Sequence, residues 1–309
     1  MSKWNLALRP DRGVVEVSGP DSTKLLQGLL TNDVERLAEG DAVYAALLTP
    51  QGKILFDFLV FCKAENTFLL DVTRDHAGPL AQRLNMYKLR SAVTIENVSA
   101  NYTVSSLWSD SSPDELKLPE TGAHVFADPR TPALGLRLLV TLATDWVPGE
   151  VQSTPASADA FHRHRIHLGV PDSGHDFQLS DAFPHEAMLD QLSGVDFEKG
   201  CYVGQEVVSR MQHRGTARKR ICQISADQPL PKSGTDIKAG TATIGVVGSV
   251  SGKTGLAMLR LDRVAEAISN AVPITADDIP INVTVPEWAT FKLSDYAAKK
   301  ADPASTKNA

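Results

Sequence analysis

Between Phe197 and Glu206 the chain reads Phe-Glu-Lys-Gly-Cys-Tyr-Val-Gly-Gln-Glu. A thiol (Cys201), an amine (Lys199), an amide (Gln205) and a carboxylate (Glu206) share this short stretch, with Gly200, Tyr202 and Gly204 among them. The thiolate is the reactive form of cysteine, and a nearby ammonium or a following helix N-terminus favours it. These residue types therefore point to a reactive thiol at Cys201 whose pKa Lys199 lowers, with Gln205 and Glu206 orienting neighbouring groups. The glycines permit a close backbone approach or a positive φ. The same types also fit a helix-entry turn around a buried, inert cysteine, because most lone cysteines pack rather than react.

Downstream, Arg210, His213, Arg214, Arg218, Lys219 and Arg220 concentrate positive charge. Such a run reads as a solvated cationic face or, more sharply, as a site for a small polyanion. The chain as a whole carries a net charge of −6, which argues against nucleic acid as a bulk partner. Three cysteines, Cys62, Cys201 and Cys222, lie far apart without a Cys-x-x-Cys pair. That predicts a reducing compartment and no disulfide framework. It also means that a four-thiolate cluster cannot be anchored by this chain alone. His162, His164 and His167 fall on one predicted helix, with His164 and His167 on one face, but the spacing lacks the His-x3-His pattern of zinc helices, so no metal site is expected. Gly252-Lys253-Thr254 resembles the end of a phosphate loop, but position 247 is valine and a strand rather than a helix is expected to follow.

The elements that must position these groups follow from periodicity. Strands are expected at 13–17, 42–48, 53–61, 66–72, 93–96, 102–107 and 134–140, and helices from Asp21 or Ser22 to Leu30, over 74–87 and from Ser157 or Asp159 to Leu168. Thr49-Pro50-Gln51-Gly52 is expected to form a type II turn. A short helix is expected from Pro184 to near Leu192, and a turn or two of helix over 206–211. Stretches 109–122 and 149–155 read as surface loops. From Arg218 to Lys292, short β-branched runs between glycines and prolines predict a small β-barrel or sandwich, and the tail from Ala297 is expected to fray. Strands and helices alternate without a dinucleotide fingerprint, so the class is α+β. At 309 residues two or three domains are expected. No apolar run is long enough to cross a membrane, and the first residues show no secretory or transit-like leader.

Lys199 to Glu206, Lys-Gly-Cys-Tyr-Val-Gly-Gln-Glu, resembles the signature of the YgfZ-type folate-binding proteins, relatives of the glycine-cleavage T-protein, an aminomethyltransferase. Val17 to Ser22, Leu29 to Val34, Leu48 to Ile54, Gly169 to Pro171 and Pro184 to Ala187 are similar to segments of that family in the same order, so the resemblance runs to about Asp262. It implies a three-domain, T-protein-like cloverleaf around a central channel, with a small C-terminal β-barrel. The implied domains are 1–48 with 102–170, 49–101 with 171–217, the barrel 218–292, and a tail 293–309. It implies tetrahydrofolate or a derivative as ligand, and iron–sulfur client or scaffold proteins as partners in cluster assembly or repair. A cluster would be bound only if shared with such a partner. Asp57, His167, Glu186, Asp190, Arg210 and Arg214 are the implied folate contacts. T-proteins pair two aspartates where this chain has Phe56-Asp57, and hold the pterin with a glutamate where this chain has His167, which leaves Glu186 or Asp190 to supply an acid. These departures set aminomethyl transfer in one-carbon metabolism as the alternative rather than the leading activity. The absence of a leader-like start sets the expected setting as the bacterial cytoplasm.

Overall fold

The computed structural model describes residues 4–109, 122–142, 153–215 and 217–297. The expected loops at 109–122 and 149–155 and the tail from Ala297 lie largely outside these residues. The chain divides into two compact units, one of residues 1–165, 179–184 and 192–210, the other of 166–178, 185–191 and 211–309.

In the first unit, chain order gives β1 (Trp4–Leu8), β2 (Arg12–Ser18), α1 (Ser22–Leu29), β3 (Ala42–Leu48), β4 (Ile54–Ala64), β5 (Thr67–Thr73), α2 (Arg74–Lys88), β6 (Thr94–Asn97), β7 (Tyr102–Ser109), β8 (Ala123–Ala127), β9 (Leu136–Thr141) and β10 (Thr154–Ala156). α3 (Ala158–His167) follows. One antiparallel sheet has the order β3-β4-β5-β2-β6. A second has the order β10-β1-β7-β9-β8, with β1 and β10 parallel. β2 and β3 lie in the same sheet as β4, β5 and β6, so the division expected at 48/49 falls instead between β1 and β2, while the one at 101/102 separates β6 from β7. The inward faces of the first sheet and of α1 and α2 close one core around Leu26, Leu30, Phe58, Val60, Leu70 and Leu80. α1 contributes Leu26 and Leu29, three apart on one face, as the leucine spacing predicts.

The turn after β3 differs from its expectation. Gly52 N donates to Thr49 O at 2.8 Å, so Gly52 is the fourth turn residue, and it has φ 81°. Gln51, where a type II turn needs positive φ, does not have it. The extra left-handed residue shifts the β3–β4 register at Leu47/Leu48.

The second unit holds β11 (Lys219–Ser225), β12 (Asp236–Ala239), β13 (Ala242–Ser251), β14 (Thr254–Arg260), α5 (Leu261–Ser269), β15 (Ile274–Ala276), β16 (Ile279–Pro280), β17 (Asn282–Thr284) and α6 (Ser294–Ala297). Its seven strands form one antiparallel sheet in the order β16-β15-β12-β13-β14-β11-β17. The many short strands match the expected barrel, and β14 follows Gly252-Lys253 as a strand. The helix α5 lies outside the sequence expectation. It packs Leu261, Val264 and Ala267 into the barrel core. α4 (Gln205–Arg214) is longer than the expected turn or two.

The helix expected over 184–192 does not form. Met188 sits at φ 66° and Ser193 at φ 55°, and the segment is a succession of turns. Its backbone is tied into the interior instead: the His185 carbonyl accepts both from Met188 N and from the buried Arg220 guanidinium, at 3.0 Å for the latter. No helix among the described residues is long and apolar enough to cross a membrane.

Candidate functional site

The segment Lys199–Glu206 is an arch fixed at both ends within the first unit. At its start, Asp196 Oδ1 accepts from the backbone N–H of Glu198 (2.7 Å) and of Lys199 (3.0 Å), which tightens the chain into a turn. The Lys199 side chain then runs inward and is 6% exposed. Its Nζ donates to the carbonyls of Gln27 (3.0 Å), Leu30 (2.8 Å) and Asn32 (2.7 Å). An ammonium has three protons, and all three have acceptors here. These carbonyls belong to the C-terminal end of α1 and the residues just after it, where a helix leaves carbonyls unmatched and a cation is favoured. Burial pulls the Lys199 pKa down to about 8, against the pull of Asp33, Asp196 and Glu35.

At the other end, Gly204 has φ 84°, and a Cβ there would stand 2.5 Å from Thr49 O. Its partner Gly52 is equally tight: a Cβ there would stand 2.9 Å from Val207 Cβ and 3.2 Å from Gly204 O. The motif and the β3–β4 turn thus meet backbone to backbone. Gly200 is different: a Cβ there would meet nothing within 4 Å. Between the two anchors Tyr202 turns inward and Val203 packs against the first unit's core, whereas Cys201 is exposed. α4 begins at Gln205, with Glu206 exposed in its first turn and Arg210 3.9 Å from Glu206 Oε1.

The loop after α1 completes the seat. Thr31 Oγ1 donates to Gly194 O at 2.6 Å and accepts from Ala46 N at 2.9 Å. Asn32 Nδ2 donates to Tyr44 O and to Ser193 O. Arg36 lies 3.1 Å from Asp33 and 3.7 Å from Asp196.

The ammonium of Lys199 is thus committed to three backbone carbonyls and anchors the arch, a tie that residue types alone did not show. The other expected residues divide between the two units. Asp57, on β4, is buried, and its Oδ2 accepts from Tyr44 OH at 2.9 Å. Around it lies a buried ionic network that sequence reasoning missed. Asp71 is bonded by Arg12 (2.7 Å) and stands 3.5 Å from Arg137; Arg137 and Arg130 both reach Asp128, at 3.2 and 2.7 Å. Arg130 also lies over the Tyr44 ring, 5.8 Å from its centroid. Burial pushes the Asp128 pKa up, but Arg130 and Arg137 outweigh it and hold the carboxyl far below its ordinary range. Burial lowers Arg137 to about 10 against Asp71 and Asp128. The available signal was Arg137 inside an otherwise apolar strand.

In the second unit, both Asp190 oxygens are engaged by Arg220, at 2.9 and 2.8 Å, so this acid has no carboxylate edge left for a pterin. His167 is exposed at the end of α3, and its carbonyl, not its ring, accepts from Gln223 at 2.7 Å. Glu186 is half-buried, and Arg214 is exposed at the end of α4. His164 stacks on Trp108 and bonds the Ala133 carbonyl at 2.9 Å, and His162 bonds Arg165. Among the described residues no three His, Cys, Asp or Glu side chains gather to hold a metal ion. Burial raises the pKa of Cys62, and it pushes that of Cys222 up to about 12 against Arg220.

Comparison with known proteins agrees with this architecture. Residues 12–118 match the model of the GCVT N-terminal domain, and residues 218–291 match the CAF17 C-terminal beta-barrel domain. The solved structure of the glycine cleavage system aminomethyltransferase T from Bartonella henselae superposes with a TM-score of 0.74 at 16% identity, over 93% of this chain and 87% of that one. That likeness shows the fold: a T-protein-like mixed α/β architecture with a near-closed C-terminal β-barrel. Among curated relatives, the mitochondrial iron–sulfur cluster assembly factor IBA57 of Homo sapiens is 32% identical over 92% of this chain and 85% of its own length. That of Mus musculus is 31% identical with the same coverage. The homolog from Mycosarcoma maydis is 37% identical over 76% of this chain, which spans 61% of that protein's length. All three carry a mitochondrial label in their names. This overturns the bacterial cytoplasmic expectation, for which the composition of the first few residues was too thin a warrant.

Proposed function

Because this chain belongs to the IBA57 family of iron–sulfur cluster assembly factors, we propose that it is a folate-binding accessory factor for the assembly or repair of iron–sulfur enzymes, with Cys201 as its functional thiol. The observation that carries the reading is the arch. Lys199 and Gly204 fix its ends, Tyr202 faces the core, and Cys201 is left exposed while Cys62 and Cys222 are buried. A thiol held on a fixed backbone is presented to a partner without an ordering cost at the moment of contact. One thiolate is one ligand, so a cluster passing through this site takes its remaining ligands from a client or scaffold protein.

Folate binding is the finer part of the proposal. A pterin edge of N–H donors wants a carboxylate with acceptor capacity in a dry setting. Asp57 fits this requirement, being buried with Tyr44 OH fixing one oxygen; Asp190 does not, since Arg220 occupies both of its oxygens. Asp57 and Tyr44 would hold the ring edge, and the bound folate would supply a one-carbon carrier nitrogen. Aminomethyl transfer is the second reading, and the T-protein-like fold is its support. Against it, Phe56 stands beside Asp57 where T-proteins carry a second aspartate, which removes a proton-handling group worth about 10²–10⁴-fold.

The test is calorimetry with tetrahydrofolate on wild type, Asp57→Asn and Cys201→Ser, together with the activity of an iron–sulfur client in cells carrying each. Asp57→Asn is expected to weaken folate binding at least about tenfold, the loss of one charge-assisted contact. Cys201→Ser is expected to bind folate normally and to lose client activity. Absence of any tetrahydrofolate heat, with full client activity in Cys201→Ser, would overturn both halves of the proposal.

A further inference from the structure

The basic run after the arch does not act as one surface. Arg220 is buried against Asp190 and Phe291, and Arg210 sits beside Glu206. Arg214 and Arg218 instead line a cavity of about 520 Å³ in the second unit, together with Asp262, Arg263, Glu266, Ser269, Asn270 and Tyr296. The acids in its wall are already neutralised. Asp262 is paired with Arg260 at 2.8 Å, and Glu266 with Arg263 at 2.9 Å. Among the described residues the guanidiniums of Arg214 and Arg218 have no ion-pair or hydrogen-bond partner, so the cavity keeps two uncompensated positive charges.

The remaining lining is built for hydrogen bonding. Tyr296 is part of the wall, and its OH accepts from Arg220 Nε at 3.2 Å, a bond that does not use the hydroxyl proton. Ser269 Oγ donates to Ala265 O at 2.9 Å, which leaves its lone pairs to accept. The Asn270 amide stands beside them at the end of α5. The volume falls in the range of roughly 300–1,000 Å³ typical of small-molecule sites. Guanidinium forks match phosphate oxygens in pairs, which an ammonium cannot do.

We propose that this cavity binds a phosphate-bearing small molecule of mononucleotide size, its phosphoryl group between Arg214 and Arg218 and its polar body against Ser269, Asn270 and Tyr296. The cavity belongs to the second unit, whereas the arch and Asp57 belong to the first, so it stands or falls independently of the iron–sulfur reading.

The test titrates the full chain at about 0.15 M salt, where exposed charges are screened beyond roughly 8 Å, with adenosine 5′-monophosphate, inorganic pyrophosphate and glutarate. Binding is followed by calorimetry in wild type, Arg214→Gln/Arg218→Gln and the control Lys232→Gln. The expected result is saturable binding of the two phosphate probes with a Kd below about 1 mM, weakened at least tenfold in the double variant and unchanged in the control. Both arginines are exposed, so the double variant keeps its fold, and its melting temperature checks this. No saturation by either phosphate probe, equal affinity in wild type and double variant, or glutarate binding as tightly as phosphate would each overturn the proposal.

Discussion

Replacing Lys199 with methionine keeps the length of the side chain and removes its three donors. The Leu30 carbonyl lies in a fully buried residue, and its bond to Nζ is itself buried. Losing that partner exposes it to the full penalty for an unmatched acceptor, about 1–3 kcal/mol. The Gln27 and Asn32 bonds are part-buried, so water can replace some of what they lose. The sum for Lys199→Met is a destabilisation of about 2–4 kcal/mol at neutral pH. A pH signature accompanies it. The Lys199 pKa falls from 10.5 unfolded to about 8 folded. Below pH 8 both states hold the proton and the stability is flat. Between 8 and 10.5 the unfolded chain binds the proton that the folded chain has lost, so stability rises with pH. At pH 9.5 this rise amounts to about 2 kcal/mol, from 1.36 kcal/mol per unit. Urea unfolding followed by tryptophan fluorescence at pH 7.5 and 9.5 measures both effects: wild type is expected to gain about 2 kcal/mol on Lys199→Met between the two, the loss of stability from the buried thiols over the same window being common to both chains. Iodoacetamide alkylation of Cys201 across pH is the companion assay, with an unchanged profile expected in the folded variant. Wild-type stability in Lys199→Met, combined with an alkylation profile shifted to higher pH, would refute the anchor and restore Lys199 as a thiolate activator.

Gly204→Ala forces a side chain to φ 84° and against Thr49 O, so a loss of at least about 2 kcal/mol is expected, whereas Gly200→Ala, into open space, is expected to stay within about 0.5 kcal/mol; thermal melts of both variants compare them directly. Asp128→Asn leaves Arg130 and Arg137 short of a buried partner and is expected to cost about 3 kcal/mol at neutral pH. Because the folded pKa of Asp128 lies below its ordinary 3.8, the stability it contributes is present above that value and is lost as pH falls below it. The gap between wild type and variant should therefore narrow below about pH 4, which acid titration of the unfolding curve measures.

Much of the local architecture was legible because periodicity is a local property. The leucines of α1, the long apolar β4 and the Gly- and Pro-punctuated barrel strands each announce themselves within a dozen residues. What was not legible depends on partners distant in sequence. Lys199 beside Cys201 reads as a modulator of the thiol until its ammonium is seen to close on carbonyls near residue 30. Asp190 reads as a spare acid until Arg220 takes both of its oxygens. The helix expected over 184–192 has adequate local propensity, and tertiary bonds to its backbone override it. Gly52 and Gly204 each read as turn residues, and only their contact shows that each requires the other. Conversely, the exposed thiol and the tight glycine at position 204 were both within reach of residue type and spacing.

The three carbonyls that hold Lys199 precede it by 172, 169 and 167 residues. During synthesis the ribosome therefore releases α1 and the β3–β4 hairpin long before the lysine that locks them. The arch closes only onto a finished N-terminal half, since both of its anchors, the α1 carbonyls and the Thr49–Gly52 turn, belong to that half. Closing so long a loop slows folding far more than it costs in stability. Cys201 is thus among the last groups of the first unit to reach its place in the fold. A nascent or misfolded chain carries the thiol without the frame that displays it, so an exposed Cys201 on a closed arch reports that the rest of the unit has been completed.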